Sequence, residues 1–159
     1  MKRLIAPVIR RKIFITFVFA ITSYLFLTSE IYAQENQKDI GNHSVHYSVF
    51  NSSFLTQSAA SGYGFVRARD RAIINVAVTE IGAGGLSRGL PVQLKASVAN
   101  LIQQTTELEF VEVKEKDATY YLAEFKFGDA DILNFRLHVL LPGERYSDTI
   151  EFSKTLYHD

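Results

Sequence analysis

Short segments in which apolar and polar residues alternate recur through most of the chain, and this pattern constrains the fold more than any other feature. A period of two places successive side chains on opposite faces of a β-strand. The clearest example is residues 132–140, in which Leu133, Phe135, Leu137 and Val139 alternate with mostly polar residues. We predict seven strands on this basis, at residues 44–50, 72–78, 92–101, 108–113, 120–127, 132–140 and 149–157.

One of these segments, residues 92–101, also fits a helix. Its even-numbered residues from 92 to 98 are apolar, as in a strand, but Leu94, Val98, Leu101 and Ile102 recur at helical spacing. We predict a strand, because a glycine-rich turn precedes the segment and strand-type segments surround it.

A short helical turn interrupts the strand pattern. Thr56 is a favourable N-cap residue, and Gly62 and Gly64 are typical of the end of a helix. Seven short strands separated by turn residues are typical of a β-sandwich. We therefore predict an all-β, immunoglobulin-like antiparallel β-sandwich of about seven strands. The single helical turn lies between the first two strands and is predicted to carry the chain from one sheet to the other.

The first residues have the composition of an export signal. Five basic residues lie within residues 2–12, and an apolar run over residues 13–27 follows. Ala33 suits the cleavage position of signal peptidase. Ile31 fits poorly at the third position before the cut, and the apolar run approaches the length of a membrane span, so an uncleaved anchor is the alternative. The predicted organisation is a signal peptide at 1–33, a flexible tail at 34–42 and a single domain at 43–159.

Charge and cysteine content narrow the class of protein. The predicted signal peptide holds five of the 17 basic and one of the 17 acidic residues, so the remaining chain has 12 basic and 16 acidic residues, a net charge of −4. This balance argues against binding to nucleic acids or anionic membranes, which require a basic excess. An exported chain without cysteine is more typical of a bacterial envelope than of a eukaryotic exterior. We expect a periplasmic protein of a Gram-negative bacterium, with no membrane association after cleavage.

Three arginines form the most prominent candidate binding site. Arg67, Arg69 and Arg71 alternate with other residues, so in an extended segment all three point the same way. Their guanidinium groups suit a carboxylate, phosphate or sulfated ligand. The alternative is pairing with acidic side chains of the same chain. In an immunoglobulin-like topology this segment shares one end of the sandwich with the turn near residue 130, so Arg67 or Arg71 is predicted to pair with Asp129 or Asp131.

The sequence contains no convincing catalytic or metal-binding motif. His43 and His46 fall on opposite faces of a strand, which disfavours joint metal ligation. The glycines at residues 82–85 lack the lysine and the following helix of a phosphate-binding loop. Residues 61–64 lack the strand and helix that flank a nucleophile elbow. We therefore predict no enzymatic activity, no metal and no cofactor.

A set of residues spread over the chain resembles a known family. The set comprises Tyr47, Phe50, Asn51, Ser52, Phe54, Leu55, Tyr63, Gly64, Arg67, Arg71, Asn75, Asn100, Leu101, Ile102, Gln104, Tyr120, Tyr121, Phe152, Leu156 and Tyr157. It resembles a family of proteobacterial periplasmic proteins with the domain of unknown function 4426 (DUF4426). The resemblance covers essentially all the chain after the leader. It implies an all-β domain in the cell envelope and carries no activity with it.

Two functions are compatible with these features. The leading prediction is a non-enzymatic periplasmic domain that binds an envelope protein or a second copy of itself through a sheet edge or a loop end. The alternative is a protein that binds or senses a small anion with Arg67, Arg69 and Arg71. Asn75 joins this candidate ligand-binding set, because it is the one polar residue in an otherwise apolar strand and needs partners if it is buried.

Overall fold

A computed structural model describes residues 36–81, 89–115 and 118–159 of this protein. The predicted signal peptide and the glycines at residues 82–85 lie outside the described residues. Within them, no helix is long and apolar enough to cross a membrane. The strands are β1 (Gln37–Ile40), β2 (His43–Asn51), β3 (Arg71–Glu80), β4 (Gln93–Ala99), β5 (Thr105–Leu108), β6 (Val111–Glu115), β7 (Ala118–Lys126), β8 (Asp131–Leu140) and β9 (Asp148–Leu156). A 3-10 turn (Ser52–Phe54) and the helix α1 (Gln57–Tyr63) lie between β2 and β3.

The strands form two antiparallel sheets. One sheet has five strands in the order β1-β2-β3-β7-β6, and the other has four in the order β5-β4-β8-β9. The neighbours β2-β3-β7-β6 and β4-β8-β9 follow the A-B-E-D and C-F-G order of a constant-type immunoglobulin domain. The predicted all-β sandwich with one short helix between the first two long strands is confirmed.

The described chain has nine strands rather than seven. The first additional strand, β1, lies in the segment predicted as a flexible tail and pairs with β2 from Gln37↔His46 to Ile40↔His43. Its four residues are too few and too polar to show a strand period. The second arises because residues 108–113 are not one strand: β5 pairs with β4 in one sheet, and β6 pairs with β7 in the other.

The predicted role of the helical turn as a crossing between sheets is wrong. The strands on either side of it, β2 and β3, are neighbours in the same sheet and pair without a gap from His43↔Glu80 to Asn51↔Ala72. Residues 52–70 therefore form a long connection at one end of the β2–β3 hairpin, and this connection is called the excursion below. A real crossing occurs between β5 and β6, where residues 109 and 110 carry the chain to the other sheet.

Four aromatic rings join the two sheets at the centre of the core. Phe135 and Phe152 of the four-stranded sheet stack with ring centroids 4.8 Å apart. Tyr47 of β2 stacks on Phe152 at 4.5 Å, and Phe125 of β7 meets Phe135 edge to face at 5.5 Å. Apolar residues that alternate along β3, β7 and β8 fill the remaining space. In the absence of any cysteine, this apolar interior holds the sheets together.

Candidate functional site

The excursion between β2 and β3 begins with a capped helix. The Thr56 hydroxyl accepts a hydrogen bond from the Ala59 N–H at 3.2 Å, which satisfies one free donor of the first helical turn. The helix ends at Gly64, whose φ of 76° is left-handed and favours glycine. Thr56 and Gly64 thus have the predicted capping roles, and they place the following arginine segment beside the end of the five-stranded sheet.

Arg71 forms an internal ion pair. It lies at the start of β3, and its guanidinium group contacts the Glu124 carboxylate of β7. The other oxygen of Glu124 accepts a hydrogen bond from the Val66 N–H at 2.7 Å. One carboxylate therefore fastens both the arginine and the backbone of the excursion to the sheet.

Arg67 and Arg69 lie in different surroundings. Arg67 donates to the Ser53 carbonyl oxygen at 2.9 Å and to the Gln57 side chain at 3.5 Å, and so braces the 3-10 turn and the helix. Arg69 is exposed. A hydrogen bond of 2.9 Å from the His158 N–H to the Asp129 carboxylate is the main cause that lowers the pKa of the Asp129 carboxyl. The charge of Arg69 is a smaller cause.

The predicted pairing of Arg67 or Arg71 with the turn near residue 130 is wrong. Arg71 pairs with Glu124 instead, and Asp131 accepts a hydrogen bond from the Gly128 N–H. The three arginines also do not share one extended segment. The Arg71 N–H donates to the Ala68 carbonyl at 3.2 Å and closes a turn that reorients the chain before β3 begins. The alternating pattern therefore did not produce one convergent cluster of guanidinium groups.

Asn75 lies on the outer face of the five-stranded sheet. It alternates with the core residues Ile74 and Val76, and its neighbours across the sheet are Ser48 and Leu122. The oxygen of the Asn75 side chain is buried and has no hydrogen-bond partner among the described residues. A buried polar atom without a partner costs stability, which distinguishes this position from the rest of β3.

Replacing Asn75 with valine is expected to raise the free energy of unfolding by about 1 kcal/mol, because the unpaired oxygen is removed and valine favours strands. Urea denaturation of the protein and the variant measures this change. Ser48→Val, on the same face of β2, is the matched control and should shift stability by no more than about 0.5 kcal/mol. A clear loss of stability in Asn75→Val would show that the side-chain amide has a structural partner.

The aromatic residues of the family-like set divide between core and surface. Tyr47 and Phe152 belong to the core stack. Tyr121 is buried, and burial is the main cause that raises the pKa of its hydroxyl, which donates to Glu112 and accepts from the Val92 N–H at 2.8 Å. The remaining members are Phe50, Tyr63 and Tyr120, which are half-buried, and Phe54 and Tyr157, which are exposed.

Two further asparagines of the set, besides Asn75, shape local structure. Asn51 donates to the Tyr157 carbonyl oxygen at 2.9 Å and ties the chain end after β9 to β2. Asn100 closes the turn between β4 and β5, because its side-chain oxygen accepts from the Gln104 N–H at 3.0 Å. Both residues therefore have structural roles.

Histidine positions do not converge on a metal site. No group of three histidine, cysteine, aspartate or glutamate side chains suited to a metal ion occurs in the part of the chain that the structure describes. His46 contacts the Thr79 hydroxyl at 3.0 Å, and His138 contacts the Thr149 hydroxyl at the same distance. Each of these histidines is thus bonded to a neighbouring strand.

The edge position of β9 is a feature that the sequence pattern did not reveal. This strand has nine residues (Asp148–Leu156), and within the described ranges it pairs only with β8. The other three edge strands, β1, β5 and β6, have four, four and five residues. An edge strand leaves alternate backbone N–H and C=O groups without sheet partners. Among the described residues, β9 is therefore the longest of the four edge strands.

Comparisons with known proteins agree with this architecture. The family model for a domain of unknown function, DUF4426, matches residues 37–159. The crystal structure of a DUF4426 family protein from Pseudomonas aeruginosa PAO1 is similar, with 34% sequence identity, coverage of 77% of this chain and 94% of that chain, and a TM-score of 0.67. No curated protein matches this chain.

Two further similar structures come from uropathogenic Escherichia coli strain F11. FetP is 9% identical over 77% of this chain and 93% of its own, with a TM-score of 0.56. A copper-bound variant of FetP is 10% identical over 77% of this chain and 94% of its own, with a TM-score of 0.57. At such low identity, these likenesses show a shared fold alone.

Proposed function

Since this chain belongs to the DUF4426 family, which is defined by a domain of unknown function, we propose from its geometry that it is a non-enzymatic protein of the bacterial envelope that binds a partner protein through β9. The observation that carries this proposal is the position of the nine-residue strand β9 at the edge of its sheet among the described residues. An extended segment of another chain can add a strand to such an edge, because backbone hydrogen bonds supply affinity whatever the side chains.

The length and the side chains of β9 define the partner segment. Nine residues of antiparallel strand span about 30 Å, enough for a partner strand of similar length. The outward side chains next to the edge include Glu151, which accepts from Arg136 at 2.7 Å, and Ser153, which donates to Asn134 at 2.6 Å. A polar, charged face of this kind limits uncontrolled edge-to-edge aggregation. It favours a partner strand that also presents polar residues on this side.

An envelope location is part of the proposal. The basic and apolar leader supports export. FetP, which shares the fold, is a protein that was expressed recombinantly in the periplasm of E. coli. The copper of FetP belongs to that protein, and anion binding by Arg67, Arg69 and Arg71 stays a prediction. Because Arg67 and Arg71 already contact groups of this chain, partner binding at the edge of β9 is favoured over anion binding by the arginines.

Because this chain contains no cysteine, a cysteine introduced by substitution is the one thiol that a maleimide label can modify. Thr155→Cys on β9 and Thr106→Cys on the short edge strand β5 each receive a photoreactive maleimide label. In envelope extract, the label at position 155 is expected to cross-link to a partner protein or to a second copy, and the label at position 106 is not. Hydrogen exchange of the β9 backbone amides should then slow when that partner is added.

Two outcomes contradict this function. Equal cross-linking from both positions would show non-specific capture. Unchanged amide exchange along β9 in the presence of the captured partner would show that strand pairing does not hold the complex.

A further inference from the structure

A cavity of about 410 Å³ opens on the outer face of the four-stranded sheet, at the end opposite the β7–β8 turn. Its size falls within the range of small-molecule sites. The strands β4 and β8 and the loop between β8 and β9 contribute its lining. The lining residues are Gln93, Leu94, Lys95, His138, Leu140, Arg145, Tyr146 and Ser147.

Three basic side chains, those of Lys95, His138 and Arg145, line this cavity. Lys95 and His138 are directly opposite each other in the pairing of β4 with β8, and each alternates with core residues, so both side chains lie on the outer face. The loop after β8 begins with a turn closed by the Glu144 N–H and the Leu141 carbonyl at 3.1 Å. This turn folds the loop back so that Arg145 joins the same lining.

The cavity contains no compensating acid. None of its lining residues is acidic, and neither Lys95 nor Arg145 forms an ion pair with any described residue. This contrasts with Arg71 and Arg136, which pair with Glu124 and Glu151. In a chain that has a net charge of −4 after its predicted leader, a concave site with basic groups alone is complementary to an anion.

Apolar and aromatic groups adjoin the basic ones. Leu140 lies on the outer face of β8, next to Gln93 of β4, and forms part of the lining. Tyr146 is 85% exposed, so core packing does not explain its ring. A ring in this position can stack on a planar group of a ligand. His138 contacts Thr149 through Nδ1 at 3.0 Å, which leaves Nε2 for a ligand.

We propose that this cavity binds an organic phosphate, with the phosphate group held by Lys95, Arg145 and His138 and the organic part against Leu140 and Tyr146. An arginine side chain can donate two parallel hydrogen bonds to two oxygens of one phosphate group, and lysine adds a point charge. The phosphate group can belong to a soluble monoester or to a lipid headgroup, since both present the same oxygens. The site is separate from the outer edge of β9, so either proposal can fail without the other.

The experiment titrates the full-length protein, expressed with its leader and purified after export, with phenyl phosphate, inorganic phosphate and phenol by calorimetry. Phenyl phosphate is expected to bind, inorganic phosphate to bind more weakly, and phenol not to bind. The double variant Lys95→Gln/Arg145→Gln should weaken phenyl phosphate binding by about 10- to 100-fold, because two charged hydrogen-bond donors are lost. Tyr146→Ser should weaken phenyl phosphate binding and leave inorganic phosphate binding unchanged.

The matched control is Lys126→Gln, which removes one exposed positive charge next to the β7–β8 turn, at the other end of the sandwich. This variant should bind phenyl phosphate as the unmodified protein does. Sedimentation with vesicles of phosphatidylcholine, with and without phosphatidic acid, tests whether the phosphate belongs to a lipid headgroup. If the protein sediments only with vesicles that contain phosphatidic acid, and only when Lys95 and Arg145 are both present, the ligand is a lipid. The proposal is overturned if neither phenyl phosphate nor the vesicles bind, or if Lys126→Gln abolishes binding while the double variant retains it.

Discussion

Replacing Phe135 with alanine is expected to lower the free energy of unfolding by about 3–5 kcal/mol. The ring is only 2% exposed and contacts one aromatic ring from each sheet, Phe152 at 4.8 Å and Phe125 at 5.5 Å. Alanine leaves a cavity between the sheets, since neither neighbour can move into the space without losing its other contacts. Denaturation by urea, followed by far-UV circular dichroism, measures the loss.

The control for this prediction is Ile132→Ala on the same strand. Ile132 precedes the core residues of β8 and is 40% exposed, so its truncation should cost no more than about 1 kcal/mol. If Phe135→Ala proves too unstable to purify, Phe135→Leu fills most of the cavity and should show a smaller loss. Equal small losses from Phe135→Ala and Ile132→Ala would contradict the central role of the aromatic stack.

Replacing Glu124 with alanine is expected to cost about 2–3 kcal/mol, below the range for fully buried pairs. The side chains of Glu124 and Arg71 are 15% and 26% exposed, so water only partly screens their attraction. The substitution leaves Arg71 without its carboxylate and the Val66 N–H without its acceptor. Both losses loosen the excursion that contains α1, which should appear as faster amide exchange in residues 56–66 together with a lower urea midpoint.

Glu151→Ala is the matched control for this pair. Glu151 and Arg136 are 61% and 59% exposed and also lie on adjacent strands. An exposed ion pair contributes about 0–1 kcal/mol, so this variant should remain close to the unmodified protein in stability. A loss from Glu124→Ala no larger than that from Glu151→Ala would mean that the excursion is held by its own packing.

Some differences between prediction and structure had a signal in the sequence. The apolar positions change from even numbers at Leu108 and Phe110 to odd numbers at Val111 and Val113. This change of parity marks the passage from β5 to β6, although the alternation alone predicts one strand over residues 108–113. The strand β1 had no such signal, because the pairing of Gln37–Ile40 depends on the neighbouring edge of β2 rather than on its own side chains.

The candidate sites were harder to predict than the fold. Arg67, Arg69 and Arg71 are close in sequence, but a turn and separate partners direct them apart. Conversely, Lys95, His138 and Arg145 are up to 50 residues apart in sequence and line one cavity. Local spacing reports which side chains share a face of one strand, and it carries no information on which strands become neighbours.

The sequence by itself determined the all-β class, the five longest strands, the capped helix between β2 and β3, and the core positions of β8, because period-two alternation and capping residues act within a few residues. Only the tertiary structure decided the edge position of β9, the partner of Arg71 and the basic cavity on the four-stranded sheet. Each of these depends on strand order and on contacts between residues distant in sequence. Such contacts form when the two apolar faces close on each other, and no segment encodes them alone.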